Sequence, residues 1–325
     1  MTYPTELTSH LITKDLVKRA IIEPETDSHK GQNGTLLVIG GSPLFHGAGR
    51  LTAAGAQEAM QALNQVVDFG SKYSDYVIFC STQENIDFLK GRQDAFIGVK
   101  RESLNDYLPK ADAVVIGTGM MREVEPGDEA TMYEPKVTRD FTMQIITSQK
   151  KAVLDAGSIQ VITPNELKQN PHLIITPHRT EMANLFGVNA EELFVSQEAS
   201  PEEIQKVGTA VHEVAKEHHV TILLKGPIDI IASDRQWYFS PGGDPAMTKG
   251  GTGDVLAGVT GALYTKLDDP LLAAAAGSYI TKRAGEYLRD TSGQFFNATD
   301  LAHNGVAAAI QALCSASSNT STPNN

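Results

Sequence analysis

The chain has 325 residues, 41% of them hydrophobic and 20% charged, a composition that suits a globular protein able to bury a sizeable core. A formal net charge of −12 argues against a broad nucleic-acid-binding face, which shows as clustered Lys and Arg, while leaving room for a single nucleotide held by local groups. The opening residues MTYPTELTSHLITKDLVKRA hold no basic segment followed by an apolar one, and no stretch reaches membrane-spanning length, so a cytoplasmic protein without membrane or nucleic-acid partners is expected.

Residues 1–27 read as an N-terminal segment ahead of the first strand signal. From there TLLVIGG, YVIFCS, AFIGV, AVVIGTG, AVLDAG, LIITPH and TILLKG are compact apolar runs punctuated by Gly, Pro or Ser, the pattern of parallel strands buried on both faces. Amphipathic stretches follow several of them. The clearest runs from Pro201 to His219, where Ile204, Val207, Val211, Val214 and Ala215 recur at helical spacing behind the capping Ser200. This alternation predicts a layered α/β fold with a mostly parallel sheet. Between 226 and 241, DIIASD and QWYFSPG change the pattern to a local antiparallel hairpin or meander. From Thr252 onward the chain reads as nearly all helix, with small residues in DPLLAAAAGSYITKRAGEYL that allow close helix packing. No linker divides residues 28–314, which read as one domain, and SASSNTSTPNN at 315–325 reads as a loose tail. Cys80 and Cys314 lie far apart with no CxxC pairing and read as inert packing residues.

Ligands of open α/β sheets gather outside the carboxyl ends of the parallel strands. Most of the unusual residues fall at those ends: GGSPLFHGAG after the first strand, GTG after AVVI, DAG after AVL, TPH after LII and KGP after TILL. The most informative stretch is PAMTKGGTGDVLAG, residues 245–258. Gly250, Gly251 and Gly253 leave amide donors unshielded, and a helix beginning near Thr252 points its positive end into the same space, an arrangement suited to phosphate oxygens. Asp254 in that first turn either stabilises the helix start or stands beside a transferable phosphoryl group and takes the proton of the attacking hydroxyl. The helix dipole is expected to lower its pKa, which phosphoryl transfer tolerates because it needs mainly positioning. Neither GxxxxGK[ST] nor GxGxxG is present, so ordinary P-loop and Rossmann readings are weak.

From Ser28 to Leu288 the chain resembles the NAD(P)H-hydrate dehydratases of the ribokinase-like superfamily, through SHKGQNGTLLVIGGS, HGAG, VVIGTGM, VLDAG, IITPHRTEMANLFG, LLKGP and MTKGGTGDVLAG in that order. The resemblance implies a ribokinase-like three-layer fold with a mostly parallel central sheet flanked by helices. It also implies a lyase that repairs hydrated NADH or NADPH, phosphorylating the ring hydroxyl with ADP or ATP, with Mg²⁺ as cofactor, before the ring nitrogen's lone pair expels phosphate. Carried over by position, Asp254 is the base and also contacts the substrate, as do Ala48, Gly119 and His178. Lys225, Gly226, Pro227, Ile228 and Asp229, with Gly250, Gly251 and Gly253, hold the nucleotide. A homo-oligomer is expected.

Several residues keep two readings. His178 is a substrate contact or a cap for the turn after IIT, and Lys225 a phosphate contact or an exposed strand-end lysine. Asp155 positions Mg²⁺ through water or caps a helix; no protein-only metal cage is visible. His46 is a weaker candidate, and His218 and His219 read as cations meeting a helix dipole. The chain departs from the family pattern at Gly49, where Pro is common and glycine loosens a loop, at Asp244 for Asn, at Lys249 for a small residue, and in MREVEPGDEATMYEPKV. Lys249 reads as a phosphate contact or a solvated lysine. The competing functions are a ribokinase-like kinase of a small alcohol, such as a thiazole or pyrimidine vitamin precursor, and a nucleotide-binding regulator, against which Asp254 speaks.

Overall fold

The computed structural model describes residues 3–22, 27, 32–66, 76–91 and 96–314. Ser28–Gly31 of the SHKG motif and the tail 315–325 lie outside them. All seven apolar runs are strands: β1 (Thr35–Ile39), β2 (Tyr76–Ser81), β3 (Phe96–Lys100), β4 (Ala113–Ile116), β5 (Lys151–Leu154), β6 (Leu173–Ile175) and β7 (Thr221–Leu224). β8 (Asp229–Ala232) and β9 (Trp237–Ser240) form the expected antiparallel meander. Among the described residues one nine-stranded sheet results, in the order β3-β2-β1-β4-β5-β6-β7-β8-β9, with β1 to β7 parallel.

Register aligns the carboxyl ends of the central strands. Ile39 pairs with Ile116, Ile116 with Leu154, Leu154 with Ile175 and Ile175 with Ile222. The residues that follow, from Gly40 to Lys225, therefore emerge along one edge. From β1 the chain first winds outward to β2 and β3, then returns to place β4 on β1's other side. Such a reversal leaves a crevice between the two loops, the usual ligand position in open α/β sheets.

Strand alternation divides the core in two. Leu36, Val38, Val115 and Val153 face one layer, with the helices His46–Val66, Thr252–Tyr264, Pro270–Ser292 and Val306–Cys314. Leu37, Ile39, Val114, Ile116 and Leu154 face the other, with the helices Glu134–Thr147, Arg179–Phe186 and Pro201–His218. This burial on both sides is why the strands read as continuous apolar runs rather than alternating ones. The Pro201–His218 helix carries the expected cap, Ser200 Oγ accepting from Glu203 N. At that helix's end burial pushes the His218 pKa down, against the reading of a cation meeting the dipole.

Close packing places the site. A Cβ on Gly258 would lie 2.0 Å from the Thr52 carbonyl oxygen, so only glycine lets the Thr252–Tyr264 helix press this closely onto the His46–Val66 helix. The two helix N-termini are thereby brought together. The N-terminal segment covers the outer sheet edge: Ile12 N donates to Phe239 O, and His10 stacks on Trp237 at 4.1 Å. Among the described residues, no helix is long and apolar enough to cross a membrane. Cys80 is buried and free, with burial pushing its thiol up to about 12, which agrees with an inert packing role.

Candidate active site

The β1 and β4 loops meet at the crevice. Gly119 has φ +70°, and a Cβ there would lie 2.5 Å from the Phe45 carbonyl oxygen and 3.0 Å from the Ala48 Cβ, so Ala48 and Gly119 are neighbours. The Gly41 side of the crevice is held by Arg101, whose Nη2 donates to the Gly41 carbonyl at 2.6 Å while its guanidinium grips the buried Glu134. Gly49 corrects the expectation of a loosened loop. It lies in the first turn of the His46–Val66 helix, where a Cβ would come within 2.8 Å of the Gly40–Gly41 backbone. His46 is exposed at the start of that helix.

Further along the edge, Asp155 follows β5, Thr176 follows β6 and Lys225 follows β7. Lys225 Nζ and Thr176 Oγ1 both donate to Asp155 Oδ1 at 2.7 Å. Asp155 is 2% exposed, and the cap position of the next helix falls to Ala156 rather than to Asp155. Ala156 beside it has φ +45°, a strain costing about 1–3 kcal/mol that the surrounding contacts must hold in place. Burial pulls the Lys225 ammonium down, but Asp155, Glu181 and Asp254 outweigh it and its pKa is raised. Lys225 is thus a half-buried, ion-paired member of a network rather than an exposed strand-end lysine.

The ammonium lies against the glycine cradle, 3.4 Å from where a Cβ on Gly253 would sit. Gly251 (φ +100°) precedes the Thr252–Tyr264 helix, and no side chain caps that helix. Its first amides therefore remain available to an anion. Gly250 lies open beside them. The half-buried Asp254 reverses the expectation of a dipole-lowered acid: burial, then the like charge of Asp155, push its pKa up to about 7 against the pull of Lys225. Desolvation outweighs the helix end here.

His178 fulfils its capping reading. Its Nδ1 accepts from Thr180 N at 3.1 Å and Glu181 N at 3.2 Å, while its own N donates to Glu181 Oε2 at 2.9 Å. Acceptance at Nδ1 leaves the neutral ring's proton on Nε2, on a side chain 53% exposed. Lys225 N donates to Pro177 O, which ties this cap to the lysine.

The Lys225–Asp229 segment divides. Lys225 faces the cradle, whereas Ile228 and Asp229 are 3% and 5% exposed and hold the turn from inside. Asp229 Oδ1 accepts from Gly226 N at 2.9 Å, and Oδ2 accepts from Ser278 Oγ at 2.7 Å. Lys282, 3.5 Å from Asp229, donates to the carbonyls of Gly226 at 3.1 Å and Pro227 at 2.8 Å. Sequence reasoning missed Lys282 because a lysine within a long helix carries no turn or motif signal. Lys249 is exposed, in keeping with its solvated reading, and its ammonium donates to the carbonyls of Gln294 and Phe296. Asp244 caps a short turn by accepting from Ala246 N. Among the described residues no three His, Cys, Asp or Glu side chains gather as a metal cluster.

Residues 36–305 match the NAD(P)H-hydrate dehydratase family model. The chain is 28% identical over 274 residues to the ADP-dependent (S)-NAD(P)H-hydrate dehydratase of Cenarchaeum symbiosum, covering 84% of this chain and 88% of that one. It is 31% identical over 271 residues to the enzyme of the same name from Nitrosopumilus maritimus, covering 83% and 86%. Against two bifunctional NAD(P)H-hydrate repair enzymes it spans 44% and 51% of their length. The crystal structure of ADP/ATP-dependent NAD(P)H-hydrate dehydratase from Bacillus subtilis, co-crystallized with ATP/Mg²⁺, superposes with a TM-score of 0.72 at 22% identity, covering 94% and 98%. That likeness, shared with a ribokinase-like superfamily protein of Enterococcus faecalis at a TM-score of 0.68, bears out the ribokinase-like fold. With the family model matched from β1 nearly to the last helix, this chain belongs to the NAD(P)H-hydrate dehydratase family.

Proposed function

We propose that the chain is a lyase that returns hydrated NADH or NADPH to the reduced cofactor at the expense of ADP or ATP, ADP being favoured by the names of its archaeal relatives. The observation that carries this reading is Asp254: a half-buried carboxylate with its pKa near 7, at an uncapped helix N-terminus and beside the Lys225 ammonium. An acid poised near neutrality is a competent proton acceptor. An uncapped helix end with a half-buried ammonium is a phosphate cradle.

The terminal phosphoryl group rests against the amides of Gly250, Gly251 and Gly253 and the Lys225 ammonium, with Gly226 and Pro227 along the rest of the nucleotide. The hydrated ring lies at the crevice by Ala48, Gly119 and His178, its hydroxyl toward Asp254. As the hydroxyl oxygen bonds to the terminal phosphorus, the bond to the leaving AMP (from ADP) or ADP (from ATP) breaks and Asp254 takes the proton. The lone pair of the ring nitrogen then expels phosphate, and loss of the neighbouring ring proton restores the dihydropyridine. Hydroxide leaves poorly, and phosphorylation converts it into a stable anion. Mg²⁺, when bound, neutralises phosphate charge.

Incubation with hydrated NADH, ADP and Mg²⁺, followed at the reduced-nicotinamide absorbance band, tests this. Recovery of absorbance with one AMP and one phosphate per turnover is expected. Nucleotide consumption only with a small vitamin alcohol, and a stable phosphorylated product, would establish a kinase instead.

A further inference from the structure

Beside His178 opens a second cleft, of about 320 Å³, between the β4 loop and the helices Gly157–Gln160 and Arg179–Phe186. A chain of hydrogen bonds runs along it to the proposed substrate contact. Arg122 Nη1 donates to Gln160 Oε1, Gln160 Nε2 donates to Glu181 Oε1 at 2.8 Å, and Glu181 Oε2 accepts from His178 N at 2.9 Å. The cleft lies on the Gly119 side of His178, since the Gly157 Cα faces the Met120 carbonyl so closely that a Cβ would sit 2.3 Å from it. Lys225 and the phosphate cradle lie on the other side, toward β7.

The size is at the small end for ligand pockets, of order 300–1,000 Å³, and suits a base with its ribose rather than a whole dinucleotide. The half-buried Leu185 supplies apolar wall, while Gln160 and the exposed Asn184 supply amide heads. Arg122 stands at the mouth with 54% of its side chain exposed. Glu123 pairs with Arg122 at 3.1 Å, and Glu181 adds a second carboxylate, so the cleft has no positive surplus with which to draw in a free phosphate. The Leu185 side chain, the amides and a guanidinium plane suit a neutral heteroaromatic base.

We propose that this cleft receives the adenosine half of the hydrated dinucleotide, its base lying against Leu185 under the Arg122 guanidinium and its edge read by Asn184. The inference rests on the dehydratase reading. It makes Arg122 and Asn184 specificity-determining residues that act on the part of the substrate remote from the chemistry.

The test compares two substrates, hydrated NADH and hydrated reduced nicotinamide mononucleotide, which lacks the adenosine half, in the wild type, Arg122→Ala and Asn184→Ala. In each variant the ratio of kcat/KM for the full substrate to that for the truncated one is expected to fall about tenfold, with the KM for ADP unmoved. A ratio that stays at the wild-type value, including one in which both substrates lose equally through a disturbed His178, overturns the subsite. A wild type inert on both substrates overturns the dehydratase reading and the subsite with it.

Discussion

Lys225 Nζ lies 2.7 Å from Asp155 Oδ1, and the same oxygen accepts the Thr176 hydroxyl, so one buried carboxylate anchors the ammonium that faces the glycine cradle. The pair joins the ends of β5, β6 and β7. Asp155→Asn leaves the largely buried ammonium undercompensated and is expected to cost about 2 kcal/mol of unfolding free energy, less than a fully buried pair because Lys225 keeps a fifth of its side chain exposed. Denaturant titration measures it; a change within 0.5 kcal/mol either way, about the scatter of neutral surface substitutions, would show the pair to be dispensable.

Lys225→Ala separates the two substrates. With the ammonium gone, the KM for ADP is expected to rise about tenfold or more, the worth of one charge-assisted contact, while the KM for hydrated NADH changes little. Equal losses on both would count against placing the phosphates at Lys225 and Gly253.

The sheet was legible because every parallel strand is buried on both faces and so reads as an uninterrupted apolar run. The cradle was legible because bare glycines before a helix have a local meaning. What stayed hidden depends on contacts between distant segments. The elevated pKa of Asp254 comes from burial and from Asp155, a strand end far back in the chain, and no local pattern reports either. Lys282 braces the KGP turn from the middle of a helix, and Gly49 owes its tight fit to the β1 loop returning across it. The capping geometry of His178, by contrast, was visible in TPHRTE as a cap followed three residues later by an acid.

That double duty can be taken apart. His178→Asn keeps a side-chain oxygen at the helix start, whereas His178→Ala loses it and is expected to destabilise the chain by about 1 kcal/mol. Neither replacement presents the ring Nε2–H. Both variants should therefore raise the KM for hydrated NADH, while only the alanine variant lowers the denaturation midpoint. Normal KM in the asparagine variant would reduce His178 to a cap.

Gly258→Ala tests whether helix packing aims the site. The added methyl would meet the Thr52 carbonyl at 2.0 Å, and prying the two helices apart is expected to cost about 1–3 kcal/mol. Because the same contact seats the helix that carries Asp254 in its first turn, kcat at a temperature where the variant remains folded should drop as well. A variant that loses stability but keeps full kcat would show that the chemistry tolerates the displacement.

Asp254 links pH to both rate and stability. Its folded pKa of about 7 lies above the ordinary 3.8, so between those values the native chain holds a proton that the unfolded chain has released. The stability associated with this group is fully present below about pH 4 and is lost as pH rises through 7. The base, however, works only as the carboxylate, so kcat should climb along an acid limb centred near pH 7, in the range where the group strains the fold. Asp254→Asn removes both effects. It is expected to abolish turnover, leave ADP affinity within about tenfold, or roughly 1.4 kcal/mol, and exceed the wild type in stability at pH 8 by on the order of 2 kcal/mol, with no gain near pH 4. Denaturation curves at the two pH values and a kcat profile from pH 5 to 9 supply the measurements. A near-normal rate in the variant would remove Asp254 as the base, and an acid limb near pH 4 would mean that its carboxylate is as well solvated as an ordinary surface aspartate.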